Sequence, residues 1–273
     1  MLEINNLRIS IAGKTLVKID HLSVSPGERL GLVGESGSGK TLTVLSILGL
    51  LPEMMDVEGS IIFAGQELLG KSDKELAKIR GRDIAMVFQD PSRSLNPTMK
   101  IGRQIGESLR LHTDLSKSDI KQKVIELMHG VQLQDPEKLV TRYPHELSGG
   151  QQQRVMIAMA ISCKPSLLIA DEPTTALDVT VQQEILKLLL RLSNESNMGV
   201  IFVSHNLGVV QAVSERIAVM HNGQIVELGP TSQIIDSPTV AYTKELIGAN
   251  PSIPSEQELS RLLGTRFPTS RGE

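Results

Sequence analysis

A chain of 273 residues, 40% hydrophobic and 22% charged, can bury a large core and suits one α/β domain, or one domain with a small inserted lobe. A net charge of −3 gives no general attraction for nucleic acid, and 2% aromatic residues with no Trp argue against a base-stacking surface. The longest apolar run, Leu42–Leu51, is too short to span a bilayer, MLEINNLRIS does not read as a signal peptide, and the lone Cys163 excludes an intramolecular disulfide framework and fits the cytosol.

In chain order, Leu2–Ser10 alternates and predicts a strand, and Leu16–Ser25 predicts another, ending at the turn Pro26-Gly27. Gly31–Val33 is a short apolar strand feeding the run GESGSGKT, Gly34–Thr41, and Lys40–Leu51 predicts the helix after it. This run fits GxxxxGK(S/T) in its strand–loop–helix setting. Glycines let backbone N–H groups point inward at phosphates, and the helix adds its N-terminal dipole. Lys40 supplies a point charge to the outer phosphates, and the Thr41 hydroxyl suits Mg²⁺. Gly34, Glu35, Ser36, Gly37, Ser38, Gly39, Lys40 and Thr41 are therefore the candidate nucleotide-binding loop.

Ser60–Phe63 predicts a strand closed by the turn Ala64-Gly65, Lys74–Arg80 a short helix, and Ile84–Phe88 a buried strand ending at Gln89. From Asp90 to Tyr143 the pattern is helical: Ile101–Leu111 is one helix, and Ser116–Gly130 is a second, with Ser116 or Ser118 as cap and Gly130 as stop. No β-rich run interrupts this stretch, which reads as a helical lobe, about 90–163, inserted in an α/β core. Leu147–Gln151 reads LSGGQ and begins the lobe's last helix, about Gly149–Cys163. Alone, LSGGQ is an ordinary helix start capped by Ser148.

Leu167–Ala170 is a fully apolar strand that ends on Asp171-Glu172. There Asp171 is placed to hold Mg²⁺ through water, and Glu172 to polarise an attacking water. Val181–Leu192 sets Val181, Ile185, Leu188, Leu189 and Leu192 on one helical face, which is read as core. Val200–Val203 is the next strand, and Ile217–Met220 and Gln224–Glu227 flank the hairpin turn Asn222-Gly223. The tail Asn250–Glu273 holds three Pro and several Ser and is expected to be weakly ordered beyond a 1–249 domain.

With LSGGQ lying between a phosphate-binding loop and LLIADE, nearly the whole chain resembles the ATP-binding-cassette (ABC) ATPases. The resemblance implies a P-loop NTPase cassette: a mixed-sheet core with an antiparallel β lobe and an inserted helical lobe. It assigns Ser148, Gly149, Gly150 and Gln151 to the signature that closes over the γ-phosphate of ATP held by the opposite subunit. It matches Gln89 to a residue that contacts Mg²⁺ and water and opens a loop touching the membrane partner, and His205, in VSHN, to the switch histidine. Asp178, in TALD, matches the loop that crosses the dimer interface. Capping of the helix starting near Val179 is equally open to it, and the two roles are compatible. The implied cofactors are ATP and Mg²⁺, with Thr41, Gln89 and Asp171 on the metal and Glu172, His205 and Gln89 at the chemistry.

The family usually stacks adenine on an aromatic side chain at a position that falls near Ile11, yet Leu7–Lys14 contains none. An aliphatic such as Ile9 or Ile11 packs the base, or base contact is weak.

Longer runs, VFQDPSRSLNPTMKIGRQI, RYPHELSGGQQQRVMIAMAI and LLIADEPTTALDVTVQQEIL, look like the peptide/nickel importer ATPases, which serve oligopeptide, dipeptide and nickel or metallophore uptake. That branch implies two permeases, a second non-identical ABC ATPase with a homodimer possible in isolation, an extracytoplasmic solute-binding protein, no nucleic acid, and a peripheral place on the cytoplasmic face of the membrane. Many members end in a four-cysteine segment for an iron–sulfur cluster; no Cys follows Cys163, so no such cluster is expected. The competing readings are a soluble ABC ATPase of DNA repair or translation, for which zinc modules, long coiled coils and a second cassette are lacking, and a phosphotransferase, which LSGGQ disfavours.

Overall fold

The computed structural model describes residues 1–175 and 177–249, so the expectation for Asn250–Glu273 lies outside the described residues. At the N-terminus β1 (Leu2–Ile11) folds back on β2 (Lys14–Val24) across Ala12-Gly13, whose φ values of +48° and +77° make the tight turn. β3 (Arg29–Val33) leads through the glycine-rich loop into α1 (Lys40–Ile47). β4 (Met55–Phe63) then pairs with the other edge of β1, and β5 (Gln66–Glu67) adds a short edge.

After α2 (Asp73–Ala77) and β6 (Ile84–Val87) the chain turns helical: α3 (Pro91–Ser94), α4 (Ile101–His112), α5 (Lys117–Gly130), α6 (Pro136–Leu139), a 3₁₀ turn at Pro144–Glu146, and α7 (Gly149–Ile161). It then alternates through β7 (Leu167–Asp171), α8 (Val179–Ser196), β8 (Gly199–Ser204) and α9 (Leu207–Val213). The hairpin β9 (Arg216–His221) and β10 (Gln224–Pro230) precedes α10 (Thr231–Asp236) and α11 (Ala241–Gly248).

The described strands form one mixed sheet in the order β5-β4-β1-β2-β10-β9-β3-β8-β7-β6. One end is antiparallel, while β9, β3, β8, β7 and β6 run parallel. The halves meet at Gln224 opposite Lys18, where the Lys18 N–H donates to the Gly223 carbonyl at 2.7 Å. β7 and β8 are buried at every position, which is why their sequences are apolar without alternation.

β6 and β7 are neighbours in the sheet, so the helical stretch is an insertion between two adjacent parallel strands. Its core is read from helical spacing: Ile101, Ile105 and Leu109 on α4 and Ile120, Val124 and Met128 on α5 are all buried. Ser116 caps α5, with Asp119 reaching back to it. Arg154 of α7 ties the insertion to the rest: its guanidinium donates to the Val131 carbonyl at 2.8 Å and to Glu184 of α8 at 2.8 Å.

Several boundaries differ from expectation. The helix predicted over Lys40–Leu51 ends at Ile47, because Gly49 takes φ +60° and turns the chain. The strand predicted at Ser60 starts at Met55, since pairing with β1 extends it through less apolar residues. The helix over Lys74–Arg80 is instead Asp73–Ala77, placed by the reciprocal Ser72–Glu75 cap. β6 stops at Val87, leaving Phe88 exposed and Gln89 in the following loop. α3, α6, α9, α10 and α11 are too short to show a helical period in sequence.

Candidate functional site

The loop Gly34–Gly39 leaves the C-terminal end of β3, a central strand flanked by parallel β9 and β8. Gly39 caps α1 at φ +103°, a conformation that L side chains rarely adopt, and a Cβ there would lie 2.8 Å from the Met220 and Val17 side chains. No side chain caps the first turn of α1 and no acidic residue lies in it, so its N–H groups are available to an anion. Lys40 is buried, and its ammonium donates to the carbonyls of Gly34 (2.7 Å) and Glu35 (2.8 Å). Burial lowers its pKa, against the pull of the Glu172 and Asp171 carboxylates.

β7, two strands away across β8, delivers the acidic pair. The Thr41 hydroxyl lies 3.5 Å from an Asp171 carboxylate oxygen. Burial, then the neighbouring Glu172 charge, push Asp171 up to about 6. Glu172 stands in the left-handed region at φ +46°, with its N–H donating to the Val203 carbonyl at 2.9 Å. Three side chains converge on its carboxylate: Gln89 Nε2 and the Thr175 hydroxyl donate to Oε2 at 2.8 and 3.0 Å, and His205 Nδ1 lies 2.8 Å from Oε1. They come from three separate loops, after β6, β7 and β8.

One cavity of about 730 Å³ joins these parts, lined by Glu35, Ser36, Gly37, Lys40 and Thr41 on one side and Gln89, Glu172 and His205 on the other. Backbone donors and a buried ammonium opposite carboxylate and amide oxygens match the polyphosphate of a nucleotide and a hard divalent cation. Gly34 and Ser38 belong to the same loop without lining the cavity.

Ser148, Gly149, Gly150, Gln151 and Asp178 do not line it either. Ser148 accepts from the Gln151 N–H at 3.4 Å while the Gln151 side chain takes the Ser148 N–H at 3.0 Å, the reciprocal cap of α7. Asp178 caps α8 through the Val181 N–H at 3.0 Å. The two starts are adjacent: a Cβ on Gly150 would meet Val181 at 2.9 Å, and one on Gly149 would meet Leu177 at 3.6 Å.

Sequence reasoning missed four contributors. Thr175 reaches Glu172 through a tight turn that only coordinates reveal. Leu246 and Ala249, in and just after α11, line the cavity, and Tyr242 of the same helix accepts from the Glu35 N–H at 3.2 Å while its ring lies tilted by 33° against His221, centroids 3.9 Å apart. Tyr242 was visible as one of two tyrosines, but nothing local tied it to a loop 207 positions away. Leu95, in the segment Gln89–Arg103 that leads from Gln89 into the helical insertion, is only 2% exposed and belongs to the core of that insertion, so it offers no wall to a partner.

Among the described residues no helix is long and apolar enough to cross a membrane. The family model described as ABC transporter matches residues 17–175. The oligopeptide transport ATP-binding protein OppD of Bacillus subtilis is 45% identical over 97% of this chain and 76% of that protein. The peptidoglycan transport ATP-binding protein YejF of Agrobacterium fabrum is 48% identical over 92% of this chain, which spans only 47% of that relative's length. Among solved structures, the ATP-binding cassette MJ0796, a dimer in a post-hydrolysis state bound to ADP and Pi, superposes with a TM-score of 0.75 at 28% identity, covering 85% of this chain and 99% of that one.

Proposed function

The chain belongs to the ABC transporter family, and within it we propose that this protein is the ATP-hydrolysing subunit of an importer for peptides. The observation that carries the reading is the convergence of Gln89, Thr175 and His205 on the Glu172 carboxylate, across one cavity from the Lys40 loop. The names of the relatives favour peptides, with nickel or metal-chelate solutes a wider family alternative. A role in DNA repair or translation is not favoured.

In this reading Gly34–Thr41 holds the triphosphate, with Lys40 turning its ammonium from the loop carbonyls to the outer phosphates. Thr41, Asp171 and Gln89 would hold Mg²⁺, which supplies charge neutralisation on the phosphates. Glu172 accepts the proton of the attacking water, and His205 orients the far side of that carboxylate. Ser148–Gln151 acts on the partner subunit's nucleotide, and Asp178 crosses the same interface. Closure of two cassettes, this one and a second non-identical ATPase, then drives two permeases fed by an extracytoplasmic solute-binding protein, from the cytoplasmic face of the membrane. Residues 1–249 form the cassette, with the helical lobe about 90–163 inserted.

Glu172→Gln tests the reading. The variant is expected to bind ATP as the parent chain does and to lose nearly all hydrolysis, accumulating as an ATP-bound dimer. Hydrolysis at the parent rate would remove Glu172 from the role.

A further inference from the structure

We propose that Thr175 is a positioning residue for ATP hydrolysis, holding the Glu172 carboxylate in the plane from which it accepts a proton. This rests on the reading of Glu172 as the base. Glu172-Pro173-Thr174-Thr175 is a closed turn: the Thr175 N–H donates to the Glu172 carbonyl at 3.1 Å, while its hydroxyl donates to Oε2 of the same residue at 3.0 Å. Pro173, the first residue inside the turn, fixes its own φ. The Thr175 hydroxyl is therefore located by the same few bonds that locate Glu172. It does not depend on how distant loops move.

The other two partners differ in this respect. Gln89 arrives on the loop after β6 and donates to the same Oε2 at 2.8 Å, so its amide is shared between the carboxylate and any metal it turns to meet. His205 arrives on the loop after β8, its side chain 59% exposed against 15% for that of Glu172. When Gln89 turns away, Thr175 keeps one donor on Oε2 while Oε1 keeps its contact with His205. Two contacts at opposite oxygens set the carboxylate plane, and removing one frees rotation about the last side-chain torsion, a broad and soft coordinate. Glu172 already sits at φ +46°, unfavourable for a non-glycine residue, so the turn that Thr175 closes also keeps the backbone there.

The test is steady-state ATP hydrolysis by the full chain, with its partner subunits where they are needed for turnover, in the variants Thr175→Val and Thr175→Ser. Valine keeps the branched shape and removes the hydroxyl; serine keeps the hydroxyl. We expect Thr175→Val to lower kcat about tenfold, equivalent to about 1.4 kcal/mol of barrier, with KM for ATP changed less than twofold. Thr175→Ser should stay within about twofold of the parent chain, a rescue that a merely structural role for the methyl group would not produce. Should the valine variant fail to fold, Thr175→Ala reads the same loss. Full activity of Thr175→Val, or a serine variant as slow as the valine one, would overturn the proposal. If Glu172→Gln is inactive while Thr175→Val is not, only the role of Thr175 falls; if Glu172→Gln hydrolyses normally, the base assignment fails first.

Discussion

The Tyr242 hydroxyl accepts a hydrogen bond from the backbone N–H of Glu35 at 3.2 Å, so α11 is fastened to the first turn of the phosphate loop. The tyrosine ring lies on His221, at the tip end of the hairpin whose Gly223 N–H donates to the Ser38 carbonyl at 3.0 Å. The loop is thus held at both ends by the C-terminal part of the chain. Tyr242→Phe keeps the ring contact with His221 and removes the acceptor. A net hydrogen bond is worth about 0.5–1.5 kcal/mol, so ATP affinity should fall about two- to tenfold. Titration with a fluorescent ATP analogue checks this, and unchanged affinity would make the contact incidental to binding.

Asp171 gives the nucleotide-free chain a pH dependence with a definite sign. Burial and the Glu172 charge push it up to about 6, whereas an unfolded aspartate titrates near about 4. Between these values the folded chain holds a proton that the unfolded chain has released. Stability therefore falls as pH rises through that window and stays lower above it. Asp171→Asn removes this loss and should raise stability near pH 7 by on the order of 1–3 kcal/mol, with a flatter melting profile between about pH 4 and 6. Identical profiles for variant and parent would place the cost in other groups.

How much of this was legible in the sequence follows from what is local. The phosphate loop, the acidic strand end and the caps Ser116, Ser148 and Asp178 depend on neighbours within a few residues, and each is where its spacing put it. The buried strands were legible because the parallel end of the sheet leaves them no wet face. Pairings across the chain were not: the extension of β4 to Met55 follows β1, and α11 was too short and too mixed to announce that it touches Glu35. The convergence on Glu172 was half legible, since Gln89 and His205 carried a family pattern while Thr175 acts through a turn.

Ser148 serves a cap in its own chain, and that separates two effects of mutation. Ser148→Ala should destabilise the fold by about 1 kcal/mol through loss of the cap, seen as a lower denaturation midpoint. Ser148→Arg should leave ATP affinity at the Lys40 loop of a monomer unchanged, because Ser148 does not line that cavity, and should block dimer closure. Closure can be read by size-exclusion chromatography in the Glu172→Gln background with ATP. A monomer whose affinity drops as far as it does in Lys40→Ala would refute action on the partner's nucleotide.

Coupling to permeases needs an exposed surface joined to the site, and Phe88 meets both conditions. It is 40% exposed and lies directly before Gln89, whose amide touches Glu172. An exposed aromatic ring beside a polar loop is the sort of anchor that a short partner helix buries. Leu95, seven positions on, cannot serve: at 2% exposure it packs in the insertion's core, and a charge there should cost several kcal/mol and unfold the lobe. The pair gives a discriminating experiment. Phe88→Asp should leave folding and hydrolysis by the isolated chain within about twofold of the parent, since no cavity-lining atom is removed, while co-purification with permeases falls at least about tenfold, the loss of about 1.4 kcal/mol expected at an anchor. Leu95→Asp should lose thermal stability first and every activity with it. If Phe88→Asp assembles and transports normally, Phe88 is not part of the docking surface.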